Sequence, residues 1–452
     1  MLYRKITTYL EEHFKSETDK ILILEGARQI GKSFIIREVA EHLFENFVEV
    51  NFVEDAEGKQ LFKEVRTTEE FYLNLSVLAG KKLDNFDNTL IFLDEIQHYP
   101  QFLTLLKFFR QERKYRFVTS GSLLGLALRS TTSIPIGSVI RKEMFQLDFE
   151  EFLVANGFGA SALSSIKNKC ANHESLSEEL HNHLMDLFRR YLLVGGMPDA
   201  VNEYLNSHNI VKVREIQEAI RTMYADDASK YEEEANKHLL IKRIYNMIPS
   251  QMENKKKRIV LKDIRGKKGD RFNYYVEEFE YLISSGVTID VNAISNPHYP
   301  LSESAQKNLL KLYLNDIGML TSQLFQNNIK PILSDEKSIN LGAVYESVVA
   351  QELRSQGCKL FYYDNRQKGE VDFIIDDYEN QSILPIEVKS GRDYTIHSAL
   401  KNLLSTKDYN IKSGLVLSNN REVALDGKYI YMPIYYVSFF KSASSYENDI
   451  YF

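Results

Sequence analysis

Short apolar runs alternate with amphipathic segments through the first third of the chain. Four runs have the length and composition of buried strands, and the segments between them place apolar residues three and four positions apart, as a helix does. The strand-like runs are Ile21–Leu24, Phe47–Phe52, Leu90–Leu93 and Tyr115–Thr119, and the helical segments are residues 1–20, Phe34–Phe44 and Leu103–Phe109. Strands that alternate with helices predict a parallel sheet with helices on both faces.

Helical spacing dominates the chain beyond Phe149. Leu180–Leu193 and Val211–Tyr224 have the pattern of helices, and the turn-forming sequence from Gly195 to Pro198 separates them. A further helix ends near Gly286 and precedes two β-like runs, Val287–Val291 and Lys311–Leu314. Helices followed by a hairpin are the outline of a winged helix.

The pattern changes again after Gly342. It predicts a helix, three strands, a second helix and another strand, in that order. These elements are Tyr345–Leu353, Leu360–Tyr363, Val371–Ile375, Leu384–Val388, His397–Leu404 and Leu415–Leu417. The C-terminal region is therefore a second α/β arrangement.

Composition narrows the classes of protein that fit. The chain has 452 residues and a formal net charge of −7, so any binding to nucleic acid has to use local basic patches. Cys170 and Cys358 lack metal-ligand spacing and offer no disulfide framework. The N-terminus has no apolar signal-peptide core and no run is long enough for a membrane helix, which predicts a cytoplasmic protein with no membrane contact.

One glycine-rich loop has the chemistry of a phosphate-binding site. The sequence from Gly26 to Ser33 fits G-x-x-x-x-G-K-[ST] and lies between a predicted strand and a predicted helix. Backbone N–H groups and the helix N-terminus favour phosphate oxygens, Lys32 is expected on the β- and γ-phosphates, and Ser33 on Mg²⁺. The residues expected to contact the nucleotide are Gly26, Ala27, Arg28, Gln29, Ile30, Gly31, Lys32, Ser33 and Phe34.

Two acidic residues follow the apolar run Leu90–Leu93. Asp94 is expected to hold Mg²⁺ and Glu95 to orient or deprotonate the attacking water, with a solvated neighbour of Asp94 as the alternative for Glu95. Thr119 and Ser120 end the next strand, where they act as a γ-phosphate sensor or form an ordinary hydroxyl-rich turn. The chain has no Asn-Lys-x-Asp guanine-reading motif, which favours ATP.

These motifs, with Leu147–Leu153, Tyr191–Pro198 and Lys311–Gly318, resemble a widespread family of bacterial and archaeal AAA-type ATPases. The resemblance implies a C-terminal domain of uncharacterised role with winged-helix and restriction-endonuclease-like parts. Many members have Gly-Arg or Gly-Lys where this chain has Gly137-Ser138, which leaves the arginine finger open. Arg141, Arg129 and Arg28 are the candidates.

A second constellation lies near the C-terminal end. Asp372 precedes Glu387 by 15 positions (387 − 372), and Lys389 follows, as in the D…E-x-K arrangement of PD-(D/E)xK nucleases. Because side chains alternate along a strand, Glu387 and Lys389 share one face. Such folds imply Glu346 as a further acidic position.

The expected chemistry of this constellation is Mg²⁺-dependent cleavage of a phosphodiester. Asp372, Glu387 and Glu346 would hold the ion, and Lys389 would stabilise the charge that develops on the phosphate. The alternatives are a surface salt-bridge cluster, or a fold that keeps these residues without activity.

The basic stretch from Lys255 to Arg271 either grips a phosphate backbone or forms a solvated loop. Glu277, Glu278 and Glu280 on the next helix would repel phosphate.

The sequence therefore predicts an α/β protein of four domains. These are a P-loop AAA-type ATPase core at 1–155, a helical connector at 156–240, a winged-helix-like domain at 241–335 and a nuclease-like domain at 336–452. The leading hypothesis couples ATP hydrolysis to a nuclease acting on DNA or RNA. The alternative is an ATP-dependent regulatory or scaffold protein with an inert C-terminal fold. The sequence leaves the oligomeric state open.

Overall fold

A computed structural model describes residues 2–80, 82–122, 137–227, 235–254, 257–266, 269–326, 328–333, 341–391 and 394–440. The chain divides into two compact units. The first consists of Tyr3–Gln146 and Glu280–Val287, and the second contains Leu147–Phe279 and the chain from Thr288 onward.

The first unit is built on a five-stranded sheet in the order β2-β3-β4-β1-β5, and every pairing is parallel. Its strands are β1 (Ile21–Glu25), β2 (Asn46–Asn51), β3 (Thr89–Asp94), β4 (Arg116–Gly121) and β5 (Val139–Glu143). Its helices are α1 (Ile6–Lys15), α2 (Lys32–Leu43), α3 (Phe52–Glu57), α4 (Thr68–Ala79) and α5 (Gln101–Glu112). The parallel sheet predicted from the alternating pattern is present, and each predicted strand lies within about two residues of its observed bounds.

An aromatic cluster forms much of the core of this unit. Phe52, Phe71, Phe102 and Phe109 are fully buried and contact one another with ring centroids 4.6–5.6 Å apart. Phe109 stacks on Phe117 of β4, with centroids 4.6 Å apart and an interplanar angle of 7°. Burying these rings fixes α5 against the sheet and so fixes the carboxyl ends of β3 and β4, where the acidic and hydroxyl residues lie.

Helices form the start of the second unit. They are α6 (Phe149–Ala155), α7 (Ala160–Ala171), α8 (Glu178–Val194), α9 (Pro198–Ser207), α10 (Ile210–Asp227), α11 (Ala235–Met252) and α12 (Leu261–Arg265). The turn predicted at Gly195–Pro198 separates α8 from α9, and Pro198 occupies the first turn of α9, where its missing N–H costs nothing.

The rest of the second unit surrounds an eight-stranded mixed sheet in the order β12-β13-β11-β10-β9-β8-β6-β7. Its strands are β6 (Thr288–Ile294), β7 (Gln306–Leu314), β8 (Phe361–Asn365), β9 (Gly369–Asp377), β10 (Ser382–Val388), β11 (Gly414–Ser418), β12 (Ala424–Asp426) and β13 (Tyr429–Pro433). The remaining helices are α13 (Val276–Ser284), which belongs to the first unit from Glu280 onward, and α14 (Ile317–Phe325), α15 (Lys330–Leu333), α16 (Gly342–Ser355) and α17 (Ser398–Leu404).

The hairpin expected in a winged helix belongs to this sheet. β6 pairs in parallel with β8, with Asn292 opposite Phe361 and Ile294 opposite Tyr363. The predicted boundary between residues 335 and 336 therefore runs between strands of one sheet. The hydrophobic pattern of β6 and β7 indicates a hairpin, but it carries no information on which strand the hairpin joins.

A buried carboxylate joins two segments of the second unit. Asp316 accepts hydrogen bonds from Gly196 N at 2.6 Å and from Met319 N at 3.0 Å, and burial raises its pKa to about 6. Gly195 has φ +72° and ψ −165°, and a Cβ at this position would overlap the Asp316 carboxylate. This backbone region is almost restricted to glycine. Gly195 therefore permits the turn and also leaves room for the Asp316 carboxylate.

We expect Gly195→Ala to lower the free energy of unfolding by about 1–3 kcal/mol, from backbone strain and the overlap with Asp316. Urea unfolding followed by circular dichroism measures this loss. Gly391→Ala is the matched control, because a Cβ there meets nothing within 4 Å. Equal stability of the two variants would contradict the role given to Gly195.

Within the described parts of the chain, no helix combines the length and apolar character that a membrane crossing requires.

Candidate functional site

The glycine-rich loop connects β1 to α2. Gly26 has φ +146° and Gly31 has φ +93°, both in the region open to glycine, and Gln29 also has a positive φ of 58°. A Cβ on Gly26 would overlap the carbonyl of Met144. Ala27 and Ile30 are buried beneath the loop. The loop is thereby curled above the first turn of α2, with its N–H groups at a helix N-terminus, the arrangement that binds phosphate.

Lys32 is the first residue of α2 and is 5% exposed. Its Nζ donates to the carbonyls of Gly26, at 3.0 Å, and Ala27, at 2.7 Å. Burial lowers the pKa of Lys32, and the carboxylates of Glu95 and Asp94 oppose that shift. The ammonium group is thus bound to the loop and lies near the carboxylates of Asp94 and Glu95. Phe34, two positions on, is exposed on α2.

Asp94 lies at the carboxyl end of β3, next to Ser33. The Ser33 hydroxyl donates at 3.0 Å to both carboxylate oxygens, and Asn51 approaches Oδ2 at 3.4 Å. Ser120 of β4 also donates to Asp94. Burial raises the pKa of Asp94, and the Ser120 hydrogen bond opposes that rise. A hydroxyl and a carboxylate held together are oxygen ligands suited to Mg²⁺, so these residues fit the ion.

Glu95 adopts a left-handed backbone conformation, with φ +55°. This conformation is uncommon for a residue with a side chain. Its Oε2 accepts a hydrogen bond from Gln97 Nε2 and one from the Ser122 hydroxyl at 3.4 Å. Ser122 also accepts from Arg28 Nε at 3.4 Å, which links the base candidate to the loop. Sequence reasoning missed Gln97 and Ser122, because a lone amide or hydroxyl after a motif carries no spacing signal.

The two predicted sensor residues differ in their contacts. Ser120 contacts Asp94, as described above. Thr119 is fully buried, and its hydroxyl has no hydrogen-bond partner in the described part of the chain. Of the two, Ser120 is therefore the residue placed to act together with Asp94.

The arginine candidates occupy different positions. Arg141 of β5 is paired with Glu25 of β1, with Nη2 and Oε2 2.6 Å apart, and this pairing raises its pKa. Arg129 lies outside the described residues. Arg28 contacts Ser122 inside the site.

A cavity of about 320 Å³ opens at the carboxyl ends of β1, β4 and β5 in the first unit. It is lined by Glu25, Gly26, Gly121, Ser122, Arg141, Glu143, Ser284 and Gly286. A Cβ on Gly286 would lie 3.1 Å from Ala27 N, so the segment Glu280–Val287 passes close to the loop.

The second constellation lies in the second unit. Antiparallel pairing places Ile386 of β10 opposite Phe373 of β9, which brings Asp372 beside Glu387. Asp372 Oδ2 accepts from Val388 N at 2.8 Å, and Lys389 Nζ is 2.8 Å from Glu387 Oε1. Burial raises the pKa of Glu387 to about 7, and the charge of Asp372 adds to the shift. The structure thus brings together Asp372, Glu387 and Lys389 as predicted from the strand pattern.

Basic residues neutralise this acidic cluster. Lys257 is ion-paired with Glu346, and Lys311, whose side chain is fully buried, lies 2.7 Å from Glu370. Burial lowers the pKa of Lys257, and the charges of Asp372, Glu370 and Glu387 oppose that shift. Sequence reasoning missed Lys311, although a lysine inside the apolar run of β7 signals a buried ion pair.

The expected metal site is not assembled in this arrangement. Among the described residues, no group of three acidic, histidine or cysteine side chains is placed to hold a metal ion. Glu346 is held by Lys257, and Glu387 by Lys389. Two of the three carboxylates predicted to hold Mg²⁺ are thus paired with lysines, and their metal role stays a prediction.

The predicted basic stretch is only partly a surface feature. Arg258 lies 2.6 Å from Asp364, so it joins Lys257 against the acidic cluster. Arg265 lies over the ring of Tyr275, 5.0 Å from its centroid. Lys255, Lys256, Lys267 and Lys268 lie outside the described residues. The Lys257 and Arg258 side chains therefore form ion pairs with carboxylates of the protein itself, which argues against their binding a phosphate backbone.

Family models match three regions of the chain. Residues 18–153 match the family model described as an AAA domain. Residues 185–330 match a domain of unknown function, DUF8612, and residues 341–437 match another, DUF4143. Residues 18–153 therefore match an AAA domain, and the two matched regions after it belong to families whose descriptions state no function.

Three of the solved structures that match this chain have TM-scores below 0.5 and identities below 25%. The Walker-type ATPase PABY2304 of Pyrococcus abyssi has 12% identity and a TM-score of 0.44, with coverage of 71% of this chain and 95% of that chain. The Aeropyrum pernix ORC1 protein in complex with DNA has 13% identity and a TM-score of 0.31, covering 74% and 91%. The Thermotoga maritima RuvB Holliday junction branch migration motor has 13% identity and a TM-score of 0.29, covering 64% and 89%. No curated protein matches the sequence.

Proposed function

We propose that the protein binds and hydrolyses ATP with Mg²⁺ and that the first unit performs this reaction. The observation that carries the proposal is the convergence of Lys32, Ser33, Asp94 and Glu95 at one edge of the parallel sheet. Ligands of open α/β sheets bind at the carboxyl ends of the strands, where these four residues lie.

Each residue has a distinct task in this reaction. The loop N–H groups and Lys32 hold the β- and γ-phosphates and stabilise the charge that spreads over the transferred oxygens. Ser33 and Asp94 would hold Mg²⁺, which supplies further charge neutralisation when bound. Glu95 accepts a proton from the attacking water. Ser120 donates a hydrogen bond to Asp94 and keeps that carboxylate oriented. Arg28 of the loop contacts Ser122, which in turn contacts Glu95.

The C-terminal cluster supports a regulatory or binding role better than cleavage. Asp372, Glu387 and Lys389 meet as a nuclease site requires, and this is the observation in favour of a Mg²⁺-dependent nuclease acting on DNA or RNA. Against it, Lys257 neutralises Glu346, and the described residues of the cluster include no group of three carboxylates placed to hold a metal ion. We therefore place the ATPase first and treat the C-terminal region as the part that responds to ATP or binds a partner.

One experiment tests both parts of the proposal. Purified protein is incubated with ATP, Mg²⁺ and a panel of single- and double-stranded DNA and RNA, with and without EDTA. Release of phosphate and cleavage of nucleic acid are measured in the same reactions. We expect ATP hydrolysis that EDTA abolishes, and no cleavage.

The Asp372→Ala variant is the matched control for cleavage. Cleavage by the parent that disappears in Asp372→Ala would overturn the regulatory proposal and establish a nuclease. Cleavage of equal rate in both proteins identifies a contaminant. Absence of Mg²⁺-dependent ATP hydrolysis in the parent would overturn the first part of the proposal.

A further inference from the structure

We infer that Gln97 is a positioning residue for Glu95 in ATP hydrolysis, an inference that rests on the proposed function of the same site. Gln97 lies in a 3₁₀ turn, Ile96–His98, that begins directly after Glu95. It is 7% exposed, so its amide is held inside the protein beside the carboxylate.

Both described hydrogen bonds to the Glu95 carboxylate use the same oxygen. Gln97 Nε2 and the Ser122 hydroxyl donate to Oε2, and neither donates to Oε1. Donors on one oxygen fix the plane of a carboxylate and leave the other oxygen available as a proton acceptor. The geometry therefore assigns Oε1 of Glu95 as the atom that takes the proton from water, and Gln97 as the group that aims it.

The Gln97 amide also contacts Ser122 directly. Its Nε2 lies 3.4 Å from the Ser122 hydroxyl, which in turn accepts from Arg28 of the phosphate loop at 3.4 Å. The chain Arg28–Ser122–Gln97–Glu95 runs from the loop to the base. A change of the loop on phosphate binding has a continuous polar route to the orientation of Glu95.

Only the Nε2 end of the Gln97 amide has hydrogen-bond partners among the described residues. Oε1 is buried and accepts none. The contacts of Nε2 with Glu95 and Ser122 are therefore the ones that fix the amide.

Steady-state hydrolysis by Gln97→Leu and Gln97→Glu tests the inference. Gln97→Leu removes the donor, and we expect kcat to fall about 10- to 100-fold, part of the ~10²–10⁴ that a positioned base contributes, with ATP affinity within about twofold of the parent. Gln97→Glu keeps the shape and places a second carboxylate beside Glu95. A carboxylate has no N–H to donate, so kcat should fall in this variant as well, again with ATP affinity within about twofold of the parent.

A double-mutant cycle separates positioning from structure. In a Glu95→Gln background there is no base to aim, so Gln97→Leu should cause no further loss of kcat. An equal fractional loss in both backgrounds, or a parental kcat in Gln97→Glu, would overturn the inference. Lys32→Ala run alongside shows whether turnover belongs to this site: if parent turnover does not depend on Lys32, the proposed function fails instead.

Discussion

Replacing Lys32 with alanine is expected to remove most ATP hydrolysis. The ammonium group is buried at the loop, bonded to two loop carbonyls and flanked by two carboxylates, so it is the main positive charge available to the β- and γ-phosphates. Loss of a preorganised charge of this kind costs about 10²–10³ in kcat, and here ATP affinity should fall as well because the same group binds the ground state. Phosphate release and titration of a fluorescent ATP analogue measure the two effects.

Lys107→Ala is the matched control for that variant. Lys107 is an exposed lysine on α5, so its removal changes the net charge equally without touching the loop. Unfolding measured on all three proteins shows whether Lys32→Ala is folded. A folded Lys32→Ala with parental turnover and affinity would contradict the assignment of the phosphate loop.

Glu95→Gln is expected to bind ATP and to hydrolyse it about 10²–10⁴ times more slowly than the parent. The amide keeps the size of the side chain, while it cannot accept the proton from water. Asp94 and Ser33 remain to hold Mg²⁺, so nucleotide affinity should be retained. The result to look for is a stable complex with ATP, seen as unhydrolysed nucleotide that co-elutes with the protein in gel filtration.

An exposed acid provides the comparison for this variant. Glu57→Gln, at the end of α3, makes the same chemical change away from the site and should hydrolyse ATP at the parental rate. Turnover by Glu95→Gln at the rate of Glu57→Gln would remove Glu95 from the role of base and support its alternative, a solvated neighbour of Asp94.

The nucleotide site was the most predictable part of the molecule, because its information is local. The strand before Gly26, the helix after Ser33 and the apolar run before Asp94 are each visible within about ten residues. Parallel strands then bring their carboxyl ends to one edge without any long-range information. The position of Gln97 beside Glu95 was not predictable, because it depends on the left-handed backbone conformation of Glu95, which no sequence pattern indicates.

The second constellation shows where such reasoning ends. Alternation along β9 and β10 predicted correctly that Asp372, Glu387 and Lys389 would meet. It had no means to place Lys257, 89 residues earlier in the chain, on Glu346. A short motif specifies which side chains share a face, whereas the charge that finally neutralises them comes from the tertiary fold.

The parallel pairing of β6 with β8 has a consequence for how the protein can be divided. A fragment that begins at residue 341 would lack β6 and β7. The N–H and C=O groups of β8 that face β6 would then be unpaired along a new sheet edge. Exposed edges of this kind recruit strands from other molecules. A recombinant fragment cut at the family border would therefore be prone to self-association, and an expressible C-terminal fragment has to begin upstream of Thr288.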